Sequence, residues 1–398
     1  MTQEKKAIRY TSVSSFLLSL IILATMIAGF SGCGKSSTNA SLSAPTVMFK
    51  FAVTDDSRAA SGATGTRNGD SNGAAALVVN TIAKDIVAQN AVSTIDFVLF
   101  PGDMVSGYTT SVTLSSELDT WKTAMAPVYN ANIPLYTTRG NHEYDDLGPG
   151  AANPADPSRL TYLVHFVMPT NGPTTSPTTS LSEVGLTWSF THKNAKFIGF
   201  DMYSGRTVSF DNTKYAPGSN SGQMMNPWVL NEVNNSTSGV NFVMGHEMMW
   251  PTTSHPDCLA NDPDSRDALV HAMGVHNGTY FAGHNHMFVR GVMNNDKGDK
   301  IPAFTVGTGG GGNYDYAVYD VVGAGYTGPD TYTVQKTISS SANPYFGWLL
   351  VTVYSDNTWS AEFRGFQFNS WNSTATPADL SVTPITVMDS FTSSSMLK

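Results

Sequence analysis

The stretch FVLFPGD, residues 97–103, illustrates the pattern on which this chain is built. Four apolar residues typical of a buried strand lead into a Pro-Gly pair and then an acid, Asp103. The segments before and after it, residues 74–90 and 116–130, carry apolar residues at helical spacing. A strand set between two helices is the unit of an α/β sheet, so we predict that fold class.

Other segments repeat this pattern of an apolar strand that ends in polar side chains. Four more such strands are predicted, at residues 46–55, 133–141, 240–247 and 278–286. In open α/β sheets, ligands bind at the carboxyl ends of the strands. We therefore expect one site built from the polar residues found there, which are Asp56, Asp103, Asn141, His142, His246, His284 and His286.

The composition excludes several classes of protein. The 398 residues include 22 Lys and Arg against 31 Asp and Glu, which gives a net charge of −9. A nucleic-acid-binding protein needs clustered cations to displace counterions from phosphates, so we expect no nucleic-acid partner. The hydrophobic share of 41% argues against a disordered chain. Two cysteines, Cys33 and Cys258, exclude a disulfide scaffold and a four-cysteine zinc site.

The amino terminus has the features of an export signal. Lys5, Lys6 and Arg9 precede an uncharged apolar run at residues 16–30, which is short for a membrane span. The run leads into Phe-Ser-Gly-Cys, which resembles a bacterial lipobox and implies acylation of Cys33. We expect a protein exported to the cell envelope, periplasmic or on the cell surface, and anchored in the lipid bilayer through Cys33. An uncleaved amino-terminal anchor is the alternative.

The side chains expected at the strand ends share one kind of chemistry. Two carboxylates, one amide and four imidazoles offer oxygen and nitrogen ligands, which suit Zn, Mn, Fe or Ni. A carboxylate can bridge two such ions, and paired ions clamp both oxygens of an in-line displacement while activating water near neutral pH. These are the requirements of phosphoester hydrolysis.

The order of the motifs resembles that of the calcineurin-like metallophosphoesterases, a family that includes purple acid phosphatases and cyclic-nucleotide phosphodiesterases. The motifs are Asp56-Ser57-Arg58, Gly102-Asp103, Gly140-Asn141-His142-Glu143, Gly245-His246-Glu247 and Gly283-His284-Asn285-His286, and the resemblance covers about residues 46–365. It implies two mixed β-sheets packed as a sandwich and flanked by helices. It also implies a metal-dependent phosphoester hydrolase that uses a metal-bound hydroxide at a dinuclear centre on a phosphorylated small molecule.

The resemblance also implies a role for each motif residue. His142 would contact the phosphoryl group and protonate the leaving oxygen. Glu143 would orient a neighbouring group. The two divalent or trivalent ions would take six ligands, which are Asp56 and His286 for the first ion, Asp103 as the bridge, and Asn141, His246 and His284 for the second.

The first motif departs from the family. Asp-x-His is usual there, but this chain has Arg58 in place of the histidine, and a guanidinium cannot ligate a metal. Three interpretations follow. Tyr108 or a water completes the first site, or the first ion is weakly held, or Arg58 binds the substrate phosphate. We favour Arg58 as a phosphate contact over an ordinary surface ion pair, with Tyr108 also in the substrate site. Asp55 is an alternative to Asp56 as a ligand.

The expected organisation is a signal peptide (1–32), a flexible tether (33–45), a catalytic domain (46–370) and a carboxyl-terminal extension (371–398). Residues 145–182 are expected to form a long insertion rather than a domain. The glycine run at 307–312 either brings backbone close to the site or simply connects two strands. Two alternatives to a phosphomonoesterase remain: a phosphodiesterase or nucleotidase, and a non-catalytic surface-binding lipoprotein with a degenerate metal site.

Overall fold

The computed structural model describes residues 44–59, 69–144, 154–177, 179–204, 225–249, 263–311, 331–340, 343–369 and 381–398. The strands are β1 (Val47–Val53), β2 (Phe97–Phe100), β3 (Leu135–Thr137), β4 (Trp188–His192), β5 (Ala195–Gly199), β6 (Val240–Met244), β7 (Gly278–Ala282), β8 (Phe288–Asn294), β9 (Lys300–Val306), β10 (Thr331–Ile338), β11 (Phe346–Tyr354), β12 (Trp359–Phe366) and β13 (Thr386–Thr392). The helices are α1 (Ala76–Val92), α2 (Ser111–Ala124), α3 (Ala126–Asn130), α4 (Asn141–Tyr144), α5 (Ser158–His165), α6 (Pro227–Asn234), α7 (Pro263–Val275) and α8 (Ser393–Met396).

The strands form two mixed sheets. One has six strands in the order β13-β12-β11-β1-β2-β3, and the other has seven in the order β10-β8-β9-β7-β6-β5-β4. In the first sheet β1, β2 and β3 are parallel, whereas β11, β12 and β13 pair antiparallel. In the second sheet β5, β6, β7 and β9 are parallel. The predicted α/β class with two mixed sheets is confirmed.

The two sheets pack face to face through aromatic side chains. The ring of Phe51 on β1 lies 5.0 Å from that of Phe242 on β6 and 5.2 Å from that of Phe197 on β5, measured between centroids. All three side chains are almost completely buried. Because the two inner faces are apolar while the strands end in polar residues, the core holds the sheets together and leaves their carboxyl ends to form a site.

The helices lie where apolar spacing predicts them, with one difference. The helix expected over 74–90 is α1, which buries Val78, Ile82 and Ile86 along one face. The segment 116–130, predicted as one helix, belongs to two helices, α2 and α3. Helical structure is interrupted at Met125, and α3 has Pro127 in its first turn. Proline lacks an N–H group and clashes with the preceding helical turn, so it is tolerated only at a helix start.

Two segments that were not predicted to be regular contain secondary structure. Residues 145–182 include a short helix, α5, which contacts α2. The segment expected as a carboxyl-terminal extension supplies β13, the edge strand of the first sheet. The signal peptide, Cys33 and most of the tether lie outside the described residues. Within the ranges that are described, no helix combines the length and apolar character needed to cross a bilayer.

Candidate metal centre

The polar residues at the strand ends come together at one edge of the sandwich. Asp56 follows β1, Asp103 follows β2 and Asn141 opens α4 after β3. His246 follows β6, and His284 and His286 follow β7. Each sheet thus contributes three of these side chains from neighbouring parallel strands, whose carboxyl ends lie side by side.

Asp103 is shared by two groups of three side chains. Its carboxylate lies with His246 and His284 in one group and with Asp56 and His286 in the other, and the ligand atoms of each group lie within 4.8 Å of one another. In the first group, His246 Nε2 is 3.3 Å from Asp103 Oδ1. In the second, His286 Nε2 is 3.6 Å from Asp56 Oδ1. All five side chains are buried.

Asn141 is oriented with its amide oxygen available. Its Nδ2 donates a hydrogen bond to the hydroxyl of Tyr108. Its Oδ1 is buried and has no hydrogen-bond partner among the described residues. A buried acceptor without a partner costs free energy, which a bound cation would remove.

The electrostatics of the cluster also suit cations. Burial, together with the charge of Asp103, raises the pKa of Asp56 well above its usual value. Burial acts in the same direction on Asp103, but His142, His246 and Arg58 outweigh it and hold the pKa of that carboxyl well below its usual range. The oxygens of Asp56 are buried and have no hydrogen-bond partner among the described residues. Carboxylates buried in this way are normally paired or bound to a metal, so the donor set fits metal ions.

Backbone geometry places the carboxylates. Asp56, Asp103 and His284 have positive φ values of 56°, 47° and 65°. Such values are uncommon outside glycine and cluster at functional sites. The glycines of the motifs provide space, because a Cβ on Gly140 would overlap Asp103 and a Cβ on Gly283 would overlap the carboxylate of Asp56.

Glu143 holds the backbone around Asp103 and Gly140 in place through hydrogen bonds. Its carboxylate accepts hydrogen bonds from the backbone N–H groups of Asp103 (2.9 Å), Val105 (3.1 Å) and Gly140 (2.8 Å). It therefore joins the turn after β2 to the turn after β3. Burial raises the pKa of Glu143 to about 8. Its contacts make it a residue that orients its neighbours.

His142 faces the cluster with one ring nitrogen. Its Nδ1 is hydrogen-bonded to the carbonyl oxygen of Ser106, and its Nε2 lies 3.7 Å from Asp103 Oδ2. Because a carbonyl can only accept, Nδ1 carries the hydrogen and Nε2 is directed toward the cluster. The ring of Tyr108 packs over the imidazole with 3.9 Å between centroids. Burial lowers the pKa of His142 to about 3 even though the nearby Asp103 acts to raise it, so the ring is neutral.

Arg58 and Tyr108 border the cluster from different directions. Arg58 Nε is 3.8 Å from Asp103 Oδ2, and the arginine side chain keeps 20% of its surface exposed. Tyr108 contacts Asn141 and His142, so its hydroxyl lies beside the group expected to bind the second ion. This contact does not favour Tyr108 as the residue that completes the first site.

The glycine run and Asp55 lie closer to the metal centre than the sequence pattern indicated. The glycine run approaches the site, since Gly309 N–H donates to the carbonyl oxygen of Asp55 (2.7 Å) and Gly311 N–H to that of Asp56 (2.6 Å). The pairing of strands explains this approach, because β9 is parallel to β7 and its carboxyl end reaches the same edge of the sheet. Asp55 is wholly buried beside His246.

Comparison with known proteins identifies the family. The model of the calcineurin-like phosphoesterase family matches residues 70–288, more than half of the chain. The match begins after the first motif and includes the other four.

Among solved structures, the chain is similar to the purple acid phosphatase PPD1 from yellow lupin (Lupinus luteus) seeds. The identity is 15% and the TM-score 0.54, over 86% of this chain and 53% of that one. It is also similar to PhoD, with 14% identity and a TM-score of 0.58, over 88% of this chain and 70% of that one. The chain thus spans about half the length of the lupin protein.

Curated protein sequences provide no significant match. At these identities the solved structures establish a shared fold, whereas the family model rests on the sequence itself. The strand-end motifs, the two mixed sheets and the match over residues 70–288 agree, and the chain belongs to the calcineurin-like phosphoesterase family.

Proposed function

We propose that this protein is a metal-dependent phosphoester hydrolase with two metal ions. The observation that carries the proposal is the position of Asp103, which belongs to two of the three groups of buried side chains that could hold a metal ion; the third group is Asp55, Asp56 and His246. A carboxylate has two oxygens and can bridge two ions. A single ion would be held by only one of the two groups that share Asp103.

The assignment of ligands follows from the two groups. Asp56 and His286 would hold one ion with Asp103, and His246 and His284 would hold the other. Asn141 would add its unpartnered Oδ1 to the second ion. Imidazole and carboxylate ligands together suit Zn, Mn, Fe or Ni.

Bound ions of this kind supply a water activated near neutral pH and positive charge for the phosphoryl oxygens. The chain's own residues would orient the ester and manage its proton. His142 Nε2, held by the hydrogen bond of Nδ1 to Ser106, would contact the phosphoryl group. A negatively charged ester beside the ring would raise the low pKa of His142, so that Nε2 can carry a proton to the leaving oxygen.

Arg58 would bind a phosphate oxygen. It stands where a histidine ligand is usual in the family, and its guanidinium reaches toward Asp103 while remaining partly exposed. A planar guanidinium binds phosphate through paired hydrogen bonds. In this arrangement Arg58 would supply positive charge beside the first ion, whose set of protein ligands is the smaller one.

The test is a comparison of esters and metals with the purified full chain. Metal-free protein would be reconstituted separately with Mn, Zn, Fe and Ni, and hydrolysis of p-nitrophenyl phosphate and bis-p-nitrophenyl phosphate would be followed. We expect turnover that depends on metal and requires two ions per chain by elemental analysis. The preferred ester would decide between hydrolysis of monoesters, which includes nucleotidase activity, and hydrolysis of diesters.

Two outcomes would contradict the proposal. Turnover that persists after complete metal removal would exclude a metal-dependent mechanism. Failure to bind any of the four metals, with no turnover of either ester, would favour the non-catalytic binding protein with a degenerate site.

Replacement of Arg58 tests the phosphate contact. A hydrogen bond to a charged group contributes about 1.5–3 kcal/mol, so Arg58→Leu should lower kcat/KM by about 10–100-fold. Arg58→Lys keeps the charge but not the paired hydrogen bonds, and its kcat/KM should fall between those of the wild type and Arg58→Leu. Metal content should not change in either variant. Loss of an ion, or an unchanged kcat/KM, would show that Arg58 does not act on the substrate.

A further inference from the structure

Asp55 is a buried carboxylate that the ligand assignment leaves without a role. Its side chain is wholly inaccessible to solvent, and neither of its oxygens has a hydrogen-bond partner among the described residues. Burying a carboxylate in this state is costly, so a compensating interaction is expected when the site is complete. His246 can supply such an interaction, because its Nδ1 lies 3.5 Å from Asp55 Oδ2.

The two ring nitrogens of His246 face different groups. Nε2 lies 3.3 Å from Asp103 Oδ1 and 3.3 Å from His284 Nδ1, within the group expected to hold the second ion. Nδ1 faces Asp55. A neutral imidazole has one N–H, and the nitrogen that binds a metal cannot carry it. If Nε2 is the ligand, the hydrogen is on Nδ1 and is directed at Asp55.

The surroundings hold Asp55 in this position. Its carbonyl oxygen accepts a hydrogen bond from Gly309 N–H at 2.7 Å, which ties the residue to the glycine run. Gly283 packs directly against the carboxylate, where any Cβ would overlap Asp55 Oδ2. The backbone of two other motifs therefore shapes a space for this side chain.

We propose that Asp55 is a positioning residue that accepts the Nδ1–H of His246 and so presents Nε2 to the second ion. The inference rests on the proposed function only in that His246 binds a metal. Hydrogen bonds of this kind fix the tautomer and ring orientation of a ligand histidine and increase its basicity, and their loss typically lowers metal affinity by 10–100-fold. Asp55 also lies close to Asp56 and His246 in a group that could itself hold an ion, so direct ligation by Asp55 is the alternative that the test must separate; Asp56, unlike Asp55, also lies with Asp103 and His286.

The test measures metal affinity without substrate. Zinc binding to the full chain would be measured by competition with a chelator of known affinity. We expect Asp55→Ala to weaken binding of the second zinc by about 10–100-fold and Asp55→Asn, which keeps an acceptor oxygen, to weaken it less. Glu183→Gln is the matched control, since Glu183 is equally buried but bonds to Thr187, and its zinc affinity should equal that of the wild type.

A double-mutant cycle separates positioning from direct ligation. If Asp55 acts through His246, Asp55→Ala should cause no further loss of zinc affinity in a His246→Ala background. An equal loss in both backgrounds would make Asp55 a ligand in its own right and overturn the inference. Unchanged affinity in Asp55→Ala alone would also overturn it.

Urea unfolding of the metal-free variants provides the control for folding. Removal of an unpaired buried carboxylate should leave the metal-free protein as stable as the wild type or more stable. A clear loss of stability would indicate a structural role and contradict the inference. Because no ester is present, the zinc measurements test this inference whether or not the protein hydrolyses an ester with any of the four metals, so the two proposals can fail separately.

Discussion

His142→Ala is expected to lower kcat/KM for the preferred phosphoester by about 10²–10⁴-fold, the usual contribution of a positioned acid or base. The expectation rests on the geometry of the ring. Nδ1 is committed to the carbonyl of Ser106, so Nε2 is the nitrogen that faces Asp103 and any bound ester. His142 is absent from all three groups of candidate metal ligands, so the variant should still bind two ions.

Kinetics and elemental analysis on the same preparations would check this. His271→Ala is a suitable control, because His271 is partly exposed and pairs with Asp299. The control should retain wild-type activity and metal. Loss of an ion in His142→Ala would mean that the histidine is a ligand, and full activity would remove it from the mechanism.

Arg139→Met is expected to destabilise the protein by about 3–5 kcal/mol, the cost of breaking a buried ion pair by removing one partner. Arg139 Nη1 and Nη2 bind the two oxygens of Asp156 at 2.7 and 2.8 Å, and Nε binds Asp201 at 2.6 Å. The side chains of all three residues are completely shielded from solvent. The substitution would therefore remove the positive charge that compensates two buried carboxylates.

Urea unfolding of metal-free protein would measure the effect. The triple variant Arg139→Met, Asp156→Asn, Asp201→Asn should recover part of the lost stability, because it removes the uncompensated charges as well. A loss below about 1 kcal/mol for Arg139→Met would show that the ion pairs contribute no more than surface pairs do. Since Arg139 directly precedes Gly140 and Asn141, a destabilised variant should also bind metal less tightly.

The spacing of apolar residues predicted the strands and helices well where a segment has either a continuous apolar run or clear helical spacing. The run before Asp103 became β2, and residues 74–90 became most of α1. Prediction failed where a backbone detail decided the outcome. One predicted helix is two helices, α2 and α3, because Pro127 is tolerated only in the first turn of a new helix. The strand predicted to reach Asn141 ends at Thr137.

The carboxyl-terminal segment shows a second kind of limit. Residues after 370 have no pattern that separates an extension from a strand of the main sheet. β13 joins that sheet by pairing with β12, a choice made by tertiary contact between Phe391 and the interior. Edge strands depend on such contacts more than on their own sequence.

The sequence by itself determined the α/β class, the family and the residues that could form a metal site. Each of these depends on neighbours in the chain, since an apolar strand followed by Gly and a polar residue sets the strand end and the side chain it presents. The resemblance to the family added the expected roles, apart from the first motif, where Arg58 replaces the usual histidine.

Only the tertiary structure decided how those residues meet. Asp103 falls between two groups of ligands because β2 and the parallel strands of the second sheet bring their ends to one edge. The hydrogen bond of Asn141 to Tyr108 and the direction of Asp55 toward His246 join residues 33 and 191 positions apart. The first contact depends on the pairing of β2 with β3 and the second on the packing of the two sheets, and neither can be predicted from the short-range spacing of apolar residues.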